Sequence, residues 1–348
     1  MLAGVDLMGL RELAAACREA SWEAMVSLTV SGRLATDGTA VVACLPMLVG
    51  PARVVRPFRI AFDASRSPTP GTSSPAPVDG LLAAVGADAV ATAAISLALQ
   101  GADPTRISAR TGLDTAGGIG CCLDISGELA DRQARTAAEH IRRFTVIQRT
   151  VAEPATVRLR VTGGGPVPGP GPNEEVASGP HAPFPARSVP VEWETGNYSI
   201  ARAGGTSLPV DQPKQLFGGD RGPGPQEYLL AAVAAEALSW LPRPGAEVHV
   251  SARLDLRGTL GVADGPVGLR DMLVQFLLPT DSAAVASSAV GAADVPAELA
   301  AWARDGTVLR IVRRSQEIAV TVATGQYADS SSAPSVSPGE DHAFRLNA

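Results

Sequence analysis

Residues 75–90 read PAPVDGLLAAVGADAV, and residues 223–238 read PGPQEYLLAAVAAEAL. Laid over one another (75 on 223, 88 on 236) they keep a constant offset of 148 positions without a gap. Pro75, Pro77, Leu81, Leu82 and Val85 meet Pro223, Pro225, Leu229, Leu230 and Val233, and the acids coincide as well, Asp79 with Glu227 and Asp88 with Glu236. Proline in a first turn and a carboxylate near the positive end both suit a helix start, so the stretches predict helices over about 77–99 and 225–241. A period this long is too great for a solenoid repeat and right for one small domain per copy.

Outward from the first helix, MVSLTVSGRL, TAVVACLPMLV and RPFRIAFDASR precede it as strand-like runs with alternating or continuous apolar residues. TRISARTGL, IGCCLDISG, a helix over about 128–143 and ATVRLRV follow it. The second copy repeats the order: strands within VEWETGNYSIAR and TSLPVDQP, its helix, strands within AEVHVSARLDLRGTLG and LRDMLVQFLLP, a helix within 282–304, and SQEIAVTVAT. This predicts the α+β class, with an antiparallel sheet packed around two helices in each copy. The boundaries that follow are an N-terminal amphipathic helix within 1–24, a first domain at 25–162, a Pro/Gly-rich linker at 163–188, a second domain at 189–324, and a polar Pro/Ser-rich tail at 325–348 whose composition predicts disorder.

Composition bounds the function. A net charge of −6 gives no basic footprint for phosphate neutralisation, so a nucleic-acid partner is not expected. The N-terminus carries Asp6, Arg11 and Glu12 within its apolar pattern, unlike a secretory signal. The 81–99 run is weakly apolar and centred on an acid that costs about 2.5–3.5 kcal/mol on insertion scales, so a core helix is expected rather than a membrane span. Cys17, Cys44, Cys121 and Cys122 lack metal-ligand spacing, and an adjacent Cys-Cys pair in a strand points to opposite faces. They read as small buried hydrophobes in a reducing cytoplasm, and the four scattered histidines give no metal site. Neither metal nor cofactor is expected.

Asp88 lies seven residues after Leu81 and three after Val85, which places it on their side of a helix, and Glu236 is related in the same way to Leu229 and Val233. A carboxylate so placed has its pKa raised by desolvation unless a cation or donor compensates, and becomes a candidate general acid or base. The competing reading pairs each acid with an arginine that pins the two helices together.

LPVDQPKQLFGGDRGPGPQEYLLAAVAAEAL, 208–238, resembles the motif of the osmotically inducible protein C (OsmC) and organic hydroperoxide resistance family, in which a strand, a Gly-Gly turn and a Pro-x-Glu-x-Leu-Leu-Ala-Ala helix lead to the peroxidatic cysteine. DLRGTLGVADGPVGLRDMLVQF, 255–276, is similar to the strand pair that follows in some members. The first copy matches more weakly in the same order, so the resemblance spans most of 25–162 and 190–323. It implies two tandem OsmC-like domains, forming in one chain the intertwined pseudo-dimer with two interface pockets. It also implies that the family's peroxidatic cysteine falls on Asp88 and Glu236, its resolving cysteine near Phe144 and Gly306, and its orienting glutamate on Val78 and Gln226. None of these is a thiol, so thiol-dependent hydroperoxide reduction is the least favoured function.

The expectation is a cofactor-free, non-redox, cytoplasmic enzyme in which Asp88 or Glu236 acts as base or cation anchor on a small, amine-bearing biosynthetic metabolite, by proton transfer, elimination or intramolecular displacement, ring closure included. Arg33, Arg59 and Arg202 are the candidate cations for an anionic group, and Phe144, Trp193 and Tyr198 the candidate pocket walls. The alternative is a catalytically degenerate ligand-binding or partner subunit.

Overall fold

The computed structural model describes residues 2–65, 74–153, 155–162, 183–243, 245–278 and 295–324. The first copy supplies α1 (Leu7–Glu19), β1 (Met25–Leu34), β2 (Thr39–Cys44), β3 (Met47–Val49), β4 (Ala52–Val54), β5 (Arg59–Asp63), α2 (Pro77–Leu99), β6 (Arg106–Leu113), β7 (Ile119–Ser126), α3 (Asp131–Phe144), α4 (Val146–Ala152) and β8 (Val157–Val161). The second supplies β9 (Arg187–Thr195), β10 (Tyr198–Ala203), β11 (Thr206–Val210), α5 (Pro225–Trp240), β12 (Glu247–Asp255), α6 (Leu256–Thr259), β13 (Arg270–Leu277), α7 (Val295–Asp305), α8 (Thr307–Arg313) and β14 (Ala319–Thr324). The mixed α+β class read from the sequence is the one observed.

In β1 the alternation MVSLTVSGRL sends Val26, Leu28 and Val30 to one face, and they are buried. Their cross-strand partners belong to the other copy: Val26 lies opposite Leu254, Leu28 opposite Ala252 and Val30 opposite Val250, in an antiparallel ladder with β12. One sheet therefore runs β5-β2-β1-β12-β13-β8, with β3 and β4 extending from β1, and the other runs β11-β10-β9-β6-β7-β14. Two expectations are corrected here. Each sheet draws strands from both copies, so 25–162 and 189–324 are sequence repeats that do not close separate sheets. Nor are the sheets wholly antiparallel, because β8 joins β13 and β14 joins β7 in parallel. The reason is topological: α3 and α4 carry the chain from β7 in one sheet to β8 in the other, and α7 and α8 carry it from β13 to β14, so each copy's last strand lands beside a strand of the other copy.

Between the sheets lie α2 and α5, packed on one another, with α2 against β6, β9 and β10, and α5 against β1, β2 and β12. Nineteen of the 23 residues of α2 are buried, so it has no solvent face, and α5 is buried continuously from Pro225 to Leu238. Small residues permit the close approach. A Cβ built on Gly80 would meet Phe62 at 2.6 Å and lie 3.6 Å from Ala232 on the facing helix. Leu81, Leu82, Leu229 and Leu230 are fully buried at this centre, each contributing roughly 1.5–3 kcal/mol. Among the described residues Pro77–Leu99 is the one helix long and apolar enough to cross a membrane, and 89% of its apolar window is buried inside the fold.

The N-terminal helix is observed at 7–19, with Asp6 accepting from Gly9 N at 3.0 Å as its cap. The expected linker ends earlier than its composition indicated, since β9 already begins at Arg187; residues 163–182 and the 325–348 tail lie outside the described residues. Crosswise pairing has a direct consequence. Expressed alone, residues 1–162 should fail to complete either sheet and self-associate, whereas co-expression with 183–348 should give a 1:1 complex by size exclusion with light scattering. A monomeric 1–162 fragment that unfolds cooperatively would refute it.

Candidate active site at the junction of the two copies

Each copy breaks its last helix at the same place. In the first, α3 ends at Phe144, Thr145 turns extended (φ −75°, ψ 117°), and α4 starts again at Val146. In the second, Gly306 (φ −60°, ψ 123°) separates α7 from α8. A restarted helix presents new backbone N–H groups without partners of their own. The acids of the central helices meet that need. Asp88 Oδ2 accepts from Ile147 N at 2.7 Å, and Glu236 accepts from Val308 N at 2.8 Å on Oε1 and Leu309 N at 3.0 Å on Oε2. Among the described residues neither acid forms an ion pair with an arginine, so the predicted pairing is replaced by capping of a buried helix start.

The two acids differ in what else surrounds them. Glu236 also accepts from Trp302 Nε1 at 3.0 Å, and the helix break leaves no room beside it: a Cβ on Gly306 would lie 2.8 Å from Glu236 Oε2. Burial raises its pKa, offset in part by these donors. It is sealed. Asp88 is as deeply buried, and burial, opposed by the backbone N–H groups of Ile147 and Val146, raises its carboxyl to about 7. Yet Asp88 is among the residues lining a cavity of about 100 Å³. Leu10 and Leu13 of α1, Ala91, Ile95, Phe144, Leu216, Phe217, Leu254 and Leu260 make its apolar walls. Thr92, Asn197, Gln212, Gln226 and Thr259 are its neutral polar groups, and the cavity is built from both copies. Gln212 Nε2 donates to Gln226 Oε1 at 3.3 Å, and Asn197 Nδ2 to Leu216 O at 3.1 Å, which fixes the amides around the cavity. Thr259 Oγ1 is buried without a hydrogen-bond partner.

Of the residues selected from the sequence, the structure thus brings Asp88 and Phe144 together. Glu236 is not among the residues that line that cavity. Arg33 is 73% exposed and bound to Glu247 across the β1–β12 ladder at 2.6 Å, and Arg59 is exposed on β5. Arg202 is exposed and reaches Ser207 Oγ at 3.4 Å. All three sit on strand positions that alternate away from the core, so they lie on the outer sheet faces. Trp193 donates from Nε1 to Gly196 O at 3.0 Å, and Tyr198 lies beneath Arg221, 5.1 Å from guanidinium to ring centre; neither lines the cavity. The paired cysteines point to opposite faces as expected, but the reading of all four as buried is corrected: Cys121 is buried, with its thiol pushed up to about 12 by burial, whereas Cys122 is exposed because its side chain alternates outward.

Sequence reasoning missed Arg56, the buried cation of the fold. Its Nε bonds Asp220 at 2.8 Å, its NH1 bonds Glu227, and its NH2 bonds the carbonyls of Asp211, at 2.8 Å, and Gly222. Glu227 in turn caps α5 through Gly224 N at 2.6 Å. Asp79, its counterpart, caps Ala76 N at 2.9 Å and faces Arg187 at 3.5 Å, so the first turn of each central helix is held by an arginine from the other copy. The amides were partly legible. Gln226 is paired with apolar Val78, a difference that marks which side kept polar company. Among the described residues no group of three His, Cys, Asp or Glu side chains is placed to hold a metal ion.

Comparison with protein-family models, with characterised proteins and with solved structures returns no match for this chain. The site therefore stands on its own geometry.

Two outcomes separate the acids. Glu236→Gln turns an amide N–H₂ toward donors and should lower stability by about 1–3 kcal/mol in urea titrations. Asp88 titrates near 7 folded and near its ordinary 3.8 unfolded, so between these values the folded chain holds the extra proton. Stability from this group is present below about pH 4 and lost as pH rises to about 7. Asp88→Asn should therefore flatten the fall in urea midpoint between pH 5 and pH 8; an unchanged slope would show that Asp88 is not the group responsible.

Proposed function

We propose that this chain is a single-chain, OsmC-like pseudo-dimer working as a cofactor-free, non-redox enzyme, with Asp88 as its acid/base group and a small amine-bearing metabolite as its substrate. The observation that carries this reading is that Asp88 lines a cavity whose other lining residues are all uncharged. Sheets that exchange strands between the copies are what an intertwined dimer joined end to end would give, and this supports the family assignment. A carboxyl with its pKa near 7 is matched to proton transfer at neutral pH, taking a proton in one step and returning it in the next. As a carboxylate it relieves an ammonium of its proton. The free amine is then a nucleophile held close to its own carbon skeleton, which suits intramolecular displacement of a leaving group that the substrate carries, ring closure included, whereas in elimination the carboxylate takes a proton from carbon as that group departs. Gln226, Gln212 and Asn197 orient the substrate, Phe144 and the leucines exclude water, and Glu236 holds the fold. Cys121 and Cys122 are absent from the cavity wall, which keeps peroxide chemistry the least favoured reading.

A second reading, a ligand-binding or partner subunit, is favoured by Trp22, Met25 and Leu48, exposed by 58%, 36% and 46% around one end of β1 and β3. One comparison separates the two. Under the enzyme reading, amines that raise the thermal midpoint of the wild type should lose that effect in Asp88→Asn, with the ligand-free midpoint at pH 5 nearly unchanged. Loss of ligand-free stability with binding retained would make Asp88 a structural cap like Glu236.

A further inference from the structure

Phe144 stands between two hollows. On its inner side is the Asp88 cavity; on its outer side is a surface hollow of about 350 Å³, formed by Arg143, Phe144 and the 258–265 loop with Asp264. The loop comes against the ring because Gly261 takes φ +65° and has no side chain: a Cβ there would lie 3.2 Å from Phe144 Cε1. The guanidinium of Arg143 covers the same ring, 5.1 Å from its centre. Arg143 and Asp264 thus line one hollow with opposite charges, and among the described residues neither is in an ion pair or hydrogen bond.

The inner cavity, at about 100 Å³, has room for only a few heavy atoms. Phe144 lines both hollows, so a ligand with one end at Asp88 that extends along its ring reaches the outer one. There it meets a cation and an anion that do not neutralise each other, an arrangement complementary to a zwitterion. We infer that the ligand is a diamino acid: its side-chain amine reaches Asp88, its aliphatic stem passes Phe144, its α-carboxylate lies on Arg143, and its α-ammonium lies on Asp264. This rests on Asp88 being the amine-binding group of the proposed function and adds the other end of the molecule.

Isothermal titration calorimetry of the full chain with 2,4-diaminobutanoate, ornithine and lysine tests it, against pentylamine, which lacks the α end, and norleucine, which lacks the side-chain amine. One diamino acid should bind roughly tenfold or more tighter than either control, the size of one charge-assisted contact. Arg143→Gln and Asp264→Asn, both at the surface, should bring it to the level of pentylamine, and Asp88→Asn should abolish binding of both. If pentylamine binds as tightly as the best diamino acid and the two surface variants change nothing, the outer hollow has no such role, while the Asp88 reading survives. Norleucine binding as well as lysine, or no amine binding at all, overturns both.

Discussion

Two helices without a solvent face impose the main constraint on this molecule. Because α2 and α5 are enclosed by the sheets and by each other, no polar group on them can be left to water, and each must find a partner within the fold. Four acids sit on these helices. Asp79 and Glu227 satisfy the first turns of their own helices and draw in arginines from the opposite copy; Asp88 and Glu236 satisfy the restarted helices α4 and α8. Two of the four thus bind the copies through arginine, all four cap helix starts, and one of them, Asp88, lines a cavity.

Electrostatics then divides two positions that correspond in sequence. Glu236 has three donors within 3.0 Å, which favour its charged form against burial, whereas Asp88 has Ile147 N with help from Val146 N. Burial raises both carboxyls, Asp88 to about 7, near balance between its protonated and ionised forms at neutral pH, the condition for moving protons. Arg56 shows the opposite solution. It is fully buried, yet its guanidinium is bound by two carboxylates and two carbonyls, so removing one partner would strand a charge in the interior.

Much of this was legible in the sequence, and what was not has a physical reason. The duplicated apolar stretch gave both central helices with their starts, and alternation gave most strands, because burial on one face writes a period of two. The positions of Asp88, Phe144 and Gly306 were legible as well, and the last two mark the helix breaks. Strand partners were not, since Val26 would bury equally well against a strand of either copy, and its alternation carries no sign of which. The arginines misled for a similar reason: Arg33, Arg59 and Arg202 alternate outward with their strands, while Arg56 precedes a proline between β4 and β5, where no periodicity points to burial. The hydrogen bond from Trp302 to Glu236 spans 66 residues of chain, and no local pattern carries that.

The peptide connection between the two repeats changes what mutation can do. In an assembly of identical subunits every substitution at the seam occurs twice, and a change that improves one hollow is imposed on its twin. Written into a single gene, the twins are independent: one acid could be locked away for rigidity while its counterpart stayed poised beside open space. Asymmetry of this kind is available to a covalent pair from its first point mutation, with no need to sort like subunits from unlike ones.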